Sequence, residues 1–277
     1  MAAPRVSIVM PVYNAGAFLE EALASAAAQT YADVETVVVD DGSTDARTRA
    51  LLDAAAQRSG VRLFRQANAG VAAARNRAVE EARGTYILPL DADDVLGPGF
   101  LARTVPVLDA EPSIGIVHTW VELIGGHHGV WRTGPFSVAA LLARCTIHVT
   151  SLYRRELWRG VGGYDPQFTE GAEDWDFWLG AAASGWQACG VPEVLTQYRR
   201  HAASRELAAR APGVSGRVMR RLVAKHRALY QAHLDDALAN LYEHHAATCL
   251  TLERIYDHPA MRAFLRLRGL VRGTPAA

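Results

Sequence analysis

Lysine is almost absent from this chain: of 29 basic residues only Lys225 is a lysine. Alanine is abundant, so the arginine excess reads as compositional bias and identifies no partner by itself. Cysteine is scarce too. Cys145, Cys189 and Cys249 are odd in number and far apart, with no C-x-x-C and no histidine spacing that suits zinc. That excludes a disulfide scaffold and predicts reduced thiols in a cytosolic protein. A formal net charge of zero gives no electrostatic reason to expect a nucleic-acid partner. No run of eighteen uncharged apolar residues exists, so no transmembrane helix is expected. The opening Met1-Ala2-Ala3-Pro4-Arg5 lacks the apolar core of a signal peptide. Two nucleotide signatures are missing as well. Neither G-x-G-x-x-G after the first strand nor G-x-x-x-x-G-K-[ST] occurs, which argues against NAD and P-loop ATP chemistry.

What is present is a soluble composition, half hydrophobic in 277 residues, enough for one large domain with an appendage. Charge is unevenly spread. From Ala202 onward there are 12 Lys+Arg against 6 Asp+Glu, a balance of +6, and residues 1–201 carry the opposite balance.

Continuously apolar runs at Val6–Pro11, Val34–Val39, Val61–Arg65 and Tyr86–Leu90 read as buried strands. Helical spacing separates them at Phe18–Gln29, from Thr44 or Asp45 to about Arg58, and at Val71–Ala82. Strand–helix alternation with short loops predicts an α/β fold with a mostly parallel, Rossmann-like sheet flanked by helices. Polar loops follow each strand, at Tyr13-Asn14, Asp40-Asp41, Asn68 and Asp91-Ala92-Asp93-Asp94. In a parallel sheet they share one edge, where open α/β sheets place ligands. Beyond residue 97 the pattern predicts a helix at Pro98–Ala110 and a strand at Ile114–Ile124. A glycine turn at 125–129, a helix at Ser137–Arg144 and a strand at Ile147–Tyr153 follow. A flexible loop at Gly160–Asp165, a helix at Glu173–Ser184 and a last strand at Val194–Arg199 complete this part. The tail is helical, roughly Ser215–His245 and then on through Leu270, with Ala211-Pro212-Gly213 as the boundary candidate.

The carboxylates of Asp91, Asp93 and Asp94 repel one another unless water or a hard cation such as Mg2+ or Mn2+ balances them. The plain alternative is a solvated turn before Gly97-Pro98. On a nucleotide-type sheet, a carboxylate-held cation neutralises a departing diphosphate. Asp93 is then the direct ligand, and Asp91 binds ribose or a metal water. Asp40 either accepts the N3–H of a pyrimidine or stabilises its own turn. Arg75 either reaches a phosphate or ribose, or is a solvated helix arginine. In Glu173-Asp174-Trp175-Asp176-Phe177-Trp178, acids at a helix N-terminus suit the helix dipole. They also suit a general base that takes a proton from an incoming hydroxyl, with aromatic faces stacking on sugar rings. Gly162 and Gly163 allow close backbone approach, or simply make a turn.

Together, Val6-Ser7-Ile8-Val9-Met10-Pro11-Val12-Tyr13-Asn14, Val38-Val39-Asp40-Asp41-Gly42-Ser43-Thr44-Asp45, Ala74-Arg75-Asn76, Asp91-Ala92-Asp93-Asp94 and Glu173-Asp174-Trp175-Asp176 resemble the motifs of family 2 glycosyltransferases. The likeness covers roughly residues 5–201. It implies a GT-A fold, a divalent cation (Mn2+ or Mg2+) and an inverting displacement from a nucleoside-diphosphate sugar, most often a UDP-sugar, to a hydroxyl acceptor. It implies that Pro11, Val12, Tyr13 and Asp40 hold the nucleoside, with Asn68 and Arg75 at base or ribose. Asp91 and Asp93 would hold ribose and metal, His201 would complete the metal site, and Asp174 would be the base. Gly162, Gly163, Glu173 and Trp175 would lie at a saccharide, lipid-linked or other acceptor. Residues 1–201 then form the transferase domain, with a nucleotide half to about 97 and an acceptor half from 98. Residues 202–277 form a helical extension. Its basic run, Arg217, Arg220, Arg221, Lys225 and Arg227, suggests either peripheral contact with an anionic membrane surface or a solvated face, and its leucines suggest packing on the domain or on a second copy. The other classes considered are a non-catalytic sugar-nucleotide scaffold and a nucleotidyltransferase. The latter wants a Gly-rich loop with Arg and Lys after strand one, where this chain has Pro11-Val12-Tyr13-Asn14.

Overall fold

The computed structural model describes residues 4–201 and 213–267. The expected boundary at Ala211-Pro212 lies outside the described residues. Nine strands form one sheet, in the order β3-β2-β1-β4-β8-β6-β9-β5, with β7 paired to β6. The first part alternates β1 (Val6–Val12), α1 (Leu19–Ala27), β2 (Val34–Asp40), α2 (Ala46–Ala55), β3 (Val61–Arg65), α3 (Val71–Glu81) and β4 (Tyr86–Pro89). The second part runs β5 (Val95–Leu96), α4 (Phe100–Ala110), β6 (Ile114–Gly125), β7 (Gly129–Trp131), α5 (Val138–Ala143), β8 (Leu152–Arg154), α6 (Arg155–Val161), α7 (Glu173–Ala183) and β9 (Gln187–Arg200). The tail forms α8 (Val214–Lys225), α9 (Arg227–Ala232), α10 (Leu234–Asp257) and α11 (Pro259–Leu267).

β1 to β4 are mutually parallel. Every residue of β1 and β4 is buried, because helices cover both faces and leave no solvated side for alternation. Alternate residues feed two cores. Val9, Val37 and Ile87 pack with Ala74, Ala78, Phe177 and Trp178. Ile8, Met10, Val38 and Leu88 pack with Leu19, Leu52 and Phe100 on the other face. The chain leaves β1 toward β2 on one side and later returns through β4 on the other. That reversal opens a crevice at the carboxyl ends of β1 and β4. Their ladder stops at Val9–Pro89, so Met10–Val12 border the opening. Beyond β4 the sheet is mixed. β8 is antiparallel to both β4 and β6, whereas β9 runs parallel to β6 through three irregularities.

Three expectations need correcting. Residues 147–151 are not strand. Ser151 Oγ donates to the His148 carbonyl (2.6 Å) and Thr150 N to His148 Nδ1 (3.2 Å), so local bonds replace the ladder. Gly160–Asp165 is not a flexible loop. α6 runs into it, Gly162 closes that helix in the left-handed region, and Tyr164 N and O both bond Asn76. The helical stretch expected over about Ser215–His245 is interrupted after Lys225 and after Ala232, and α10 runs on to Asp257; Leu222, Tyr230 and Ala237 of the tail join the first core. Among the described residues no helix is long and apolar enough to cross a membrane.

Candidate active site

The four polar loops do converge on one sheet edge. Asp40, at the end of β2, accepts Ser43 N at 2.9 Å and lies 3.6 Å from Arg65 Nε. It is 4% exposed, so its turn-stabilising role is present in the structure. Asp41 accepts from Ala69 N and Gly70 N (2.8 and 2.9 Å) and so ties the loop after β3 to the loop after β2. Asn68 lies there. A Cβ on Gly42, whose φ is +76°, would stand 2.8 Å from Asn68 N. Pro11 and Val12 are buried walls, and Tyr13 projects, half exposed. The Asn14 carboxamide oxygen accepts Thr44 N and Asp45 N (2.8 and 3.1 Å), which holds the β1 loop against the β2 loop.

The acidic turn after β4 is secured by β9. β5 pairs antiparallel with β9 immediately beyond the turn. Asp94, fully buried, accepts Arg199 N at 2.9 Å, and Arg199 Nε donates to the Asp93 carbonyl, also at 2.9 Å. This register carries His201 to the turn, where its Nε2 lies 3.0 Å from Asp93 Oδ2 and its ring 5.2 Å from that of Phe18. Burial, and next the charge of Asp91, raise the Asp93 carboxyl above its ordinary range, while the His201 hydrogen bond pulls the other way. Burial and the two neighbouring acids lift Asp94 well above that range. Asp94 is thus a supporting acid that braces the turn against β9.

Arg75 is the largest departure from a solvated helix arginine, since it is completely buried. Nη2 donates to Asp91 Oδ1 at 2.8 Å and Nη1 to Glu173 Oε1 at 3.1 Å, with the guanidinium carbon 5.1 Å from the Tyr164 ring centre. Burial depresses its pKa, but Asp91 and Glu173 more than reverse that, so it is charged. One cation therefore links the turn after β4 to the first residue of α7. Asp174 follows, half-buried, with Oδ1 accepting Trp175 N at 2.8 Å.

The aromatic run does not form a sugar platform as a whole. Phe177 and Trp178 are fully buried against Tyr153 and Tyr164, because their face of α7 closes the first core. Trp175 is half-buried and donates its indole N–H to the Leu141 carbonyl at 2.6 Å. Glu173 turns inward. Gly163 packs tightly, since a Cβ there would meet Asn76 Oδ1 at 2.7 Å, whereas Gly162 is open. Sequence reasoning missed His148. It is buried with Trp131 and Tyr198 ring centres at 6.0 and 5.1 Å. Burial lowers its pKa to about 4, which keeps it neutral. Its three rings come from separate segments, so no spacing signals them.

Among the described residues no three His, Cys, Asp or Glu side chains form a ready metal cluster. The donor chemistry nevertheless fits a hard divalent cation. Asp93 offers a carboxylate oxygen beside an imidazole, and the burial and Asp91 charge that disfavour its ionised form are what a bound cation would offset.

Comparison with known proteins agrees with this geometry. The family model described as "Glycosyl transferase family 2" matches residues 7–161, more than half of the chain. A PGL/p-HBAD biosynthesis glycosyltransferase of Mycobacterium bovis is 38% identical over 181 residues, 64% of this chain and 69% of that protein. The chain spans only 26%, 29% and 26% of the length of three other curated relatives. Among solved structures, Staphylococcus aureus TarS in complex with UDP-GlcNAc superimposes with a TM-score of 0.64 at 16% identity, over 82% of this chain and 73% of that one. The mannosyltransferase PcManGT of Pyrobaculum calidifontis, in complex with GDP-Man and Mn2+, gives 0.58 at 22% identity, over 98% and 85%. The chain belongs to glycosyl transferase family 2 and has the GT-A fold.

Proposed function

We propose that this chain transfers a sugar, with inversion, from a nucleoside-diphosphate sugar to a hydroxyl acceptor, with a divalent cation and Asp174 as general base. The carrying observation is Arg75, buried between Asp91 and Glu173. It fixes a donor-side acid and the base-bearing helix in one frame, as a single displacement requires. Asp40, Asn68, Tyr13, Pro11 and Val12 form the nucleoside pocket, where the Asp40 carboxylate accepts from a pyrimidine N–H. UDP is therefore the preferred nucleotide. Asp91, held by Arg75, faces the ribose. Asp93 and His201 would hold Mn2+ or Mg2+, which when bound supplies positive charge for the leaving diphosphate. Asp174 removes the acceptor proton from the opposite side as the new glycosidic bond forms. Glu173 is a strut for Arg75, while Trp175 with Gly162 and Gly163 borders the acceptor.

The direct test is titration calorimetry with UDP and GDP, with and without Mn2+. A screen of UDP-, TDP- and GDP-sugars, scored by nucleotide release with and without saccharide acceptors, goes with it. Metal-dependent binding of a nucleoside diphosphate is expected. Absence of binding under all conditions overturns the reading. Binding without release from any sugar nucleotide favours a scaffold.

A further inference from the structure

The tail helix α8 lies beyond the family match, yet it grips the helix that carries Asp174. We propose that Lys225 and His226 are positioning residues: through Asp176 they fix the first turn of α7, and so the direction of the Asp174 carboxylate. The inference rests on the reading of Asp174 as the base.

Asp176 lies two residues past Asp174, about 200° around the helix, so the two carboxylates leave α7 in nearly opposite directions. An acid in a first helical turn is ordinarily solvated and needs no cation. This one is 2% exposed. Both of its oxygens are taken by the end of α8. Lys225 Nζ donates to Oδ2 at 2.8 Å, and His226 Nε2 lies 2.8 Å from Oδ1. Lys225 also reaches Asp165 Oδ2 at 2.7 Å, at the start of the loop leading into α7. The same loop is held twice more. Arg221 donates to the Gln167 carbonyl, and Arg217 pairs with Glu170. Phe168 lies between them, its ring centre 5.4 Å from the Arg221 guanidinium carbon and 5.6 Å from Lys225 Nζ.

The loop needs such holding. Ala172, immediately before α7, has φ +69° and no capping side chain, and is preceded by Gly171 at φ +105°. A non-glycine residue in that region is strained, and persists where its surroundings over-determine it. Buried ion pairs are poor sources of stability, because desolvation offsets their attraction. Apolar contacts of Leu222 and Tyr230 already attach the tail. What the Asp176 cluster adds is direction. Three of the five cations of the basic run, Arg217, Arg221 and Lys225, are engaged with the loop that leads into α7.

The test uses the full chain with the donor and acceptor that the screen selects. Lys225 is half exposed, so Lys225→Met is expected to fold; Asp176→Asn serves as the second variant. A tilt of the base predicts kcat lowered about 10–100-fold, with donor KM within twofold, and activity largely restored in Lys225→Arg. Hydrogen exchange is expected to rise in residues 165–176 while β1 keeps its protection. Unchanged kcat in a folded Lys225→Met overturns the proposal, as does a loss that merely tracks the unfolded fraction. Asp174→Asn is measured alongside. If it keeps turnover, the base reading itself fails and takes the clamp with it. If it loses turnover while Lys225→Met does not, only the clamp fails.

Discussion

The sheet edge and the tail solve opposite problems. Around β1 to β4 and α7 the chain buries charge. Arg75 is at 0% exposure, and Glu173 at 3%. Along α10 it exposes hydrocarbon, with Leu238 at 55% and Tyr242 at 74%. Buried charge is costly unless paired, so it persists where a site requires fixed charges. Exposed leucine costs little by itself and reports only on what else the surface touches. The difference separates residues whose surroundings are dictated by chemistry from residues whose surroundings are not.

That contrast breaks first at Asp174, the proposed base. Asp174→Asn changes one atom and is expected to lower kcat about 10²–10⁴-fold, while donor affinity by calorimetry stays near wild type. Turnover within threefold of wild type would remove Asp174 from catalysis and leave the buried charges as architecture. Next comes Arg75→Met, which keeps volume but removes the cation shared by Asp91 and Glu173. Removing one partner from a buried charged cluster costs about 3–5 kcal/mol, read as a shift in urea midpoint with unchanged slope. A loss under 1 kcal/mol would mean that water replaces the guanidinium and that the frame is looser than its distances indicate.

These residues also show what could be read without the structure. The four strands, the helices between them and the shared polar edge were legible because apolar runs and turn residues are local signals. Asp93 and Asp174 were legible as candidates only, because a carboxylate at a strand end also suits a solvated turn and one at a helix start also suits the helix dipole. Arg75 was legible only as a candidate, since its burial depends on Asp91 and on Glu173, 98 positions away. The fates of Trp178 and Phe177 were misread for the same reason. An aromatic on a helix looks alike whether it faces a ligand or a core. α6 and β5 were hidden by their length, and His148 by the distance in sequence between its neighbours. The tail's grip on α7 had no local signature at all, as charges at Asp165, Asp176 and Lys225 meet only in three dimensions.

A third perturbation is acid. His118 is buried beside Thr133, with Nδ1 3.0 Å from Oγ1, and burial lowers its pKa from 6.5 to about 4. Between those values the unfolded chain binds a proton that the folded chain refuses. Its contribution is therefore intact above pH 6.5 and is lost as pH falls toward 4. At roughly 1.4 kcal/mol per pH unit, about 2 kcal/mol is lost from this group between pH 7.5 and 5. Urea midpoints of wild type and His118→Gln at those two pH values isolate it, because His148 titrates alike in both proteins. An equal acid loss in the variant would show that His118 is hydrated in the folded state.

The smallest effect is expected on the tail's open face, and its size is the informative part. Leu241 is 48% exposed on α10, and Leu222 on α8 is fully buried. Leu222→Ala removes packed methyls and should cost about 2–5 kcal/mol. Leu241→Lys, on the surface that the chain leaves open, should stay within about 0.5 kcal/mol at any protein concentration. If instead its midpoint falls by more than 1 kcal/mol, and the fall grows with concentration, a second copy covers α10 in solution. The contrast between a buried-charge edge and an open apolar tail would then hold for the isolated chain alone, and the tail would belong with the sheet edge among surfaces whose partners are specified.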